Sequence, residues 1–116
     1  MQSLDCPVIT VGEGVVASMA AVILACGDHR QVYRHTQVLI HQLMGGTGMA
    51  QQTDIEIVAQ HTAAMRAELD ELLAEHGNLS AQEFHELTER DCWCNARRAL
   101  ELGLVDEVIA PSKKAL

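Results

Sequence analysis

The run from Val15 to Cys26 constrains this chain most: it is almost wholly apolar, opens after Gly12-Glu13-Gly14 and stops at Gly27. A membrane-crossing helix takes about 20 apolar residues, so this run is too short to span a bilayer and must be buried in protein. Its Ala-rich spacing suits a helix buried nearly all round and capped by a left-handed Gly27, with Ser18 in its first turns. Just before it, Pro7-Val8-Ile9-Thr10-Val11 reads as a buried β-branched strand entering a tight turn, in which Gly14 frees the backbone.

A helix covered on all sides needs layers around it, and the remaining segments supply them. Gln31 to Arg34 and Gln37 to His41 read as short strands, the second placing His41 at a strand's carboxyl end ahead of the glycine-rich Met44-Gly45-Gly46-Thr47-Gly48. From Thr53 to His76 apolar residues recur at Val58, Met65, Leu69, Leu72 and Leu73, and Gly77 closes the segment. That pattern predicts a long amphipathic helix, about 35 Å at 1.5 Å per residue, which can project beyond a small domain. Ser80-Ala81-Gln82-Glu83 is a capping-box sequence with Leu79 and Phe84 placed as a hydrophobic staple, so a helix should run from Ala81 to Asp91. Asn95 caps a further helix ending at Leu102 before Gly103, followed by a strand from Leu104 to Ile109 and an unstructured tail after Pro111.

Only Tyr33, Phe84 and Trp93 are aromatic in a chain that is 48% hydrophobic, so the core is aliphatic. That composition favours helices packed on a buried sheet, an α/β domain. With 116 residues and no repeat or linker, the chain reads as one domain over residues 1–116 with 110–116 as a flexible tail. The net charge of −8, from 16 acidic against 8 basic side chains, opposes binding to a phosphate backbone and argues against a nucleic-acid partner. No segment reads as a membrane span. Cys6, Cys26, Cys92 and Cys94 follow no secretory signal and read as reduced thiols of a cytoplasmic protein. Cys92-Trp93-Cys94 with nearby His85 lacks the second matched pair of a zinc site and reads as buried thiols.

A nucleophilic serine needs a base within hydrogen-bond reach, a group that orients the base, and fixed N–H donors for the oxyanion. Ser18, after a strand and turn and at a helix start, would set the Met19 backbone N–H near a developing negative charge. Taken singly, Ser18 reads more readily as a small residue permitting close packing, His41 as a satisfied structural side chain and Asp91 as a charge on a solvated helix end.

Together they carry a resemblance. Gly12-Glu13-Gly14-Val15-Val16-Ala17-Ser18-Met19-Ala20-Ala21 resembles the nucleophile segment of Clp protease proteolytic subunits. Val38-Leu39-Ile40-His41-Gln42 resembles their histidine segment, and Thr88-Glu89-Arg90-Asp91 their aspartate segment. Gly45-Gly46 followed by Gln52-Thr53-Asp54-Ile55-Glu56-Ile57 continues the match into the family's long handle helix, and Gly103-Leu104-Val105-Asp106 extends it toward the end. Leu43 stands where the family usually has proline, and Ala20 where it usually has glycine.

The resemblance implies an α/β, ClpP- and crotonase-like fold with a handle helix, and a chain that corresponds to the family's C-terminal portion, incomplete at the N-terminus. It implies a serine endopeptidase acting on unfolded polypeptides, with Ser18 as nucleophile, His41 as base, Asp91 as orienter and Met19 as oxyanion donor. Met44, Gly45 and Gly46 would lie beside an extended substrate. No metal or organic cofactor is implied. The expected partners are other copies in stacked homo-oligomeric rings and an ATP-driven unfoldase, with Arg90 at a position of inter-ring ion pairs. The Ser–His–Asp order departs from that of α/β-hydrolases. A non-catalytic ring subunit and a viral capsid-maturation peptidase are the rival readings.

Overall fold

The computed structural model describes residues 1–110, so the tail expected after Pro111 lies outside the described residues. The described chain is mixed α/β: β1 (Ile9–Gly12), β2 (Val15–Ala17), α1 (Met19–Ala25), β3 (His29–Tyr33), β4 (Gln37–Ile40), α2 (Gln52–His76), α3 (Ala81–Leu87), β5 (Cys92–Asn95), α4 (Ala96–Glu101) and β6 (Glu107–Ile109). The strands form two three-stranded sheets, β1-β3-β6 and β2-β4-β5. All pairs are parallel except β4 with β5, which is antiparallel.

The chain passes directly from one sheet to the other at two corners, Gly12–Val15 and Tyr33–Gln37, and the two corners are bonded to each other. The Gln37 N–H donates to the Gly14 carbonyl at 2.8 Å, and the buried Thr36 hydroxyl donates to the Gly12 carbonyl at 3.0 Å. Gly14 turns the first corner with φ 68°. At Gly12 a Cβ would meet Val32 Cγ1 at 2.9 Å and Val16 Cγ2 at 3.0 Å, so a side chain there would wedge the sheets apart. One helix, α1, therefore serves as the crossover for two parallel pairs, β1 with β3 and β2 with β4.

The core is aliphatic with a single aromatic: Val16, Leu24, Val32, Val38, Leu73, Leu102 and Leu104 surround the fully buried Phe84. Where α1 was expected to be buried nearly all round, only Ala21, Val22, Leu24 and Ala25 are buried, and Met19 and Ile23 are about half exposed. The expected helix from Val15 also begins later, because Val15–Ala17 pairs with Gln37–Leu39 as β2. Gly27 is not a left-handed cap. It is required for a different reason: a Cβ would lie 2.5 Å from the Thr10 hydroxyl oxygen.

The capping box forms as expected, with Glu83 N–H donating to Ser80 Oγ and Ser80 N–H donating to Glu83 Oε2. Here α3 stops at Leu87 rather than reaching Asp91, since the buried Thr88 hydroxyl donates back to the Phe84 carbonyl and the chain turns into β5. The last strand is shorter than expected because Leu104 and Val105 are spent as core residues in the loop before it. Gly103 ends α4 at φ 72° as the pattern requires.

Arg30 ties the ends of three helices. Its Nη1 donates to the carbonyls of Ala25 at the end of α1, His76 at the end of α2, and Gly103 after α4. Its other nitrogens bind the Asp106 carboxylate, and this pairing holds the Asp106 carboxyl below its usual range. A cation at helix C-termini meets the negative end of each dipole.

Candidate active site

Residues Ser18, His41 and Asp91 stand one position outside three adjacent strands of the β2-β4-β5 sheet. Ser18 follows β2, His41 follows β4 and Asp91 precedes β5. The parallel pairing of Ala17 with Leu39 and the antiparallel pairing of Ile40 with Cys92 bring those ends to one rim. Local sequence builds each strand, and register brings the three strand ends to one rim.

Ser18 has φ 60° and ψ −127°, the only positive φ at a non-glycine position among the described residues. Such a conformation costs on the order of 1–3 kcal/mol and persists only where its surroundings over-determine it. Here they do: the Ser18 N–H donates to the Leu39 carbonyl at 2.9 Å, and the Ser18 carbonyl accepts from Ala21 and Val22 in the first turn of α1. The sharp strand-to-helix turn lifts Oγ out of the backbone toward His41.

His41 Nε2 lies 3.0 Å from Ser18 Oγ, and His41 Nδ1 lies 2.6 Å from the Gln42 carbonyl oxygen. A carbonyl can only accept, so Nδ1 carries the proton and Nε2 presents a lone pair to the serine hydroxyl. That is the protonation pattern a general base requires. Asp91 is exposed and makes no hydrogen bond to His41, so the structure joins two of the three expected side chains and leaves the third unbonded to them. Met19 opens α1, where first-turn N–H groups have no partner within the helix.

Beside Ser18 is a cavity of about 250 Å³ lined by Met19, Val22, Ile40, Leu43, Leu69 and Leu73 together with His41, Gln42 and Met44. Its wall is apolar and crosses from the sheet to α2. Met44 therefore borders the serine, whereas Gly45 and Gly46 line a second hollow between their own loop and the start of α2, with Ile55, Val58 and Arg66. The lining residues from α2 lie outside the glycine-led segments, and only their apolar spacing marked them in the sequence.

The sequence model of the family described as "Clp protease" matches residues 1–112. The chain belongs to the Clp protease family. Its similarity to individual members is consistent in level: it is 39% identical over 115 residues to an ATP-dependent Clp protease proteolytic subunit of Streptococcus sanguinis, covering 97% of this chain and 59% of the relative. To the protein of the same name from Lactococcus lactis subsp. cremoris it is 38% identical over 112 residues, covering 94% of this chain and 56% of the relative. The Clp protease family chain thus spans under three-fifths of the length of these relatives.

Cys92 and Cys94 project from β5 with their sulfurs 3.7 Å apart. Burial and the neighbouring Cys92 thiol push the Cys94 thiol up to about 12. Among the described residues no three His, Cys, Asp or Glu side chains converge as a metal site. No helix among them is long and apolar enough to cross a membrane.

Proposed function

We propose that this chain is the catalytic portion of a Clp-type serine endopeptidase subunit, equivalent to the C-terminal part of its longer relatives. The 3.0 Å approach of His41 Nε2 to Ser18 Oγ carries the reading. In the proposed reaction Ser18 Oγ attacks the scissile carbonyl as His41 Nε2 takes its proton, and the same imidazolium then protonates the leaving amine. The Met19 N–H receives the developing oxyanion at the start of α1. Asp91 is the third member of the proposed triad; it immediately precedes Cys92, which pairs with Ile40, and the place it would take on His41 Nδ1 is held in this structure by the Gln42 carbonyl. An unfolded polypeptide would lie extended along Met44, Gly45 and Gly46, whose exposed backbone is free to pair with it.

The same reading makes α2 the handle helix of a crotonase-like fold, meeting other copies within stacked rings, with an ATP-driven unfoldase delivering substrate in the cytoplasm. Two observations support it: Gln52 through His61 are exposed along their whole length, and Ile55, Ile57 and Val58 are apolar there. Strands β1 and β2 end their sheets with exposed Ile9, Val11 and Val15, as suits further strands of a longer subunit. A non-catalytic ring subunit is the second reading, favoured by the one observation that Asp91 does not bond His41.

Treating the purified chain with a serine-acylating fluorophosphonate and mapping the adduct by mass spectrometry tests the proposal. The expected result is modification at Ser18, lost in Ser18→Ala and in His41→Ala. A folded wild-type chain that stays unmodified would favour the non-catalytic subunit.

A further inference from the structure

Gln42 is held at three points, and this has a consequence for its neighbour. Its main-chain N–H donates to the Thr88 carbonyl at 3.1 Å, its side-chain Nε2 to the Glu89 carbonyl at 2.8 Å, and its Oε1 accepts from Arg66 Nη1 at 2.8 Å. Arg66 comes from α2, with only 15% of its side chain exposed. Its Nη2 donates to the His85 carbonyl and to Glu89 Oε2, both at 3.0 Å, while its Nε is buried without a partner.

Burying a guanidinium is costly, and an ion pair with the solvent-exposed Glu89 carboxylate is too well screened to repay that cost. Stability alone is therefore a poor account of Arg66. What the network does specify is the orientation of one peptide unit, because the Gln42 carbonyl is the group that holds His41 Nδ1.

We infer that Arg66 is a positioning residue: by clamping Gln42 it aims the Gln42 carbonyl at His41 Nδ1, and so keeps Nε2 unprotonated and facing Ser18. The inference rests on the peptidase reading for its importance, but the geometry it concerns exists whether or not the chain turns over. Arg66 is suited to the task because its planar fork reaches the Gln42 amide from Nη1 and the Glu89 carboxylate from Nη2 of one rigid group, whereas a lysine presents all its donors from a single nitrogen on a flexible stem.

The test compares wild type, Arg66→Met, Arg66→Lys and Gln42→Met, each checked for folding by circular dichroism. The first readout is the long-range ¹H–¹⁵N correlation of the neutral His41 ring. Wild type is expected to show a single Nδ1–H tautomer, and both methionine variants a mixture of tautomers, with Arg66→Lys not restoring the wild-type pattern. The second readout is the rate of Ser18 acylation, expected to fall at least about tenfold in the methionine variants. Folded Arg66→Met with the wild-type tautomer pattern would overturn the inference. If Arg66→Met does not fold, Gln42→Met decides by the same criterion. If wild type is never acylated, the peptidase reading fails, and the tautomer comparison still settles the role of Arg66.

Discussion

Ser18 sits in a backbone conformation that a glycine would adopt freely, so the position trades stability for the exposure of its hydroxyl. Replacing it by glycine should raise stability by up to about 1 kcal/mol in thermal or urea unfolding while abolishing acylation. Ser18→Ala, which keeps the strain, should leave the melting temperature near wild type. Equal stability of the glycine and alanine variants would show that the turn holds no strain. The Ser18 and His41 assignments were legible as residue types in their segments, but the φ of 60° was not. It follows from the Leu39 carbonyl and the first turn of α1 gripping both ends of one residue.

At the scale of elements, the Arg30 junction explains how short helices hold their places. Single-turn contacts leave the carbonyls at helix ends unpaired, and Arg30 supplies donors to three such ends at once. With 11% of its side chain exposed, Arg30→Met should cost about 3 kcal/mol in denaturant unfolding by orphaning those carbonyls. The junction also sets a pH dependence. The folded Asp106 carboxyl lies below its usual range because Arg30 binds its ionised form. Its stabilisation is present above the unfolded value of about 3.9 and is lost as pH falls through the lower folded value. Melting temperatures measured below about pH 4 should therefore fall more steeply in wild type than in Asp106→Asn. Parallel slopes would remove Asp106 from the acid response.

For the whole molecule, α2 sets the shape. Its 25 residues extend about 37 Å, and the radius of gyration is 16.5 Å where a compact domain of this length has about 13 Å. The sequence pattern predicted the helix well and its cover poorly: Leu73 is buried, yet Val58 and Met65 are exposed. Periodicity shows that a helix has an apolar side but not what covers it. If α2 joins subunits as proposed, Ile55→Glu with Val58→Glu should reduce the assembly to a smaller species in sedimentation velocity, with the circular dichroism spectrum unchanged. An assembly of unaltered size would place the subunit contacts elsewhere.

What the amino-acid sequence determined by itself is what acts within a few residues. The glycine at the Gly14 corner, the capping box at Ser80, the stop at Gly103 and the period of α2 all follow from local sterics and hydrogen bonding. Strand β5 escaped notice because four residues pair only through β4, whose position no local pattern states. The tertiary structure alone decided the meeting of Ser18 with His41 across 23 positions, the clamp of Arg66 on Gln42, and the seat of Arg30 among three helix ends. Each depends on strand register and on which backbone carbonyl is left free at a given place. Those are properties of chain segments already packed together, and side-chain identities become chemistry only once that packing has set their distances.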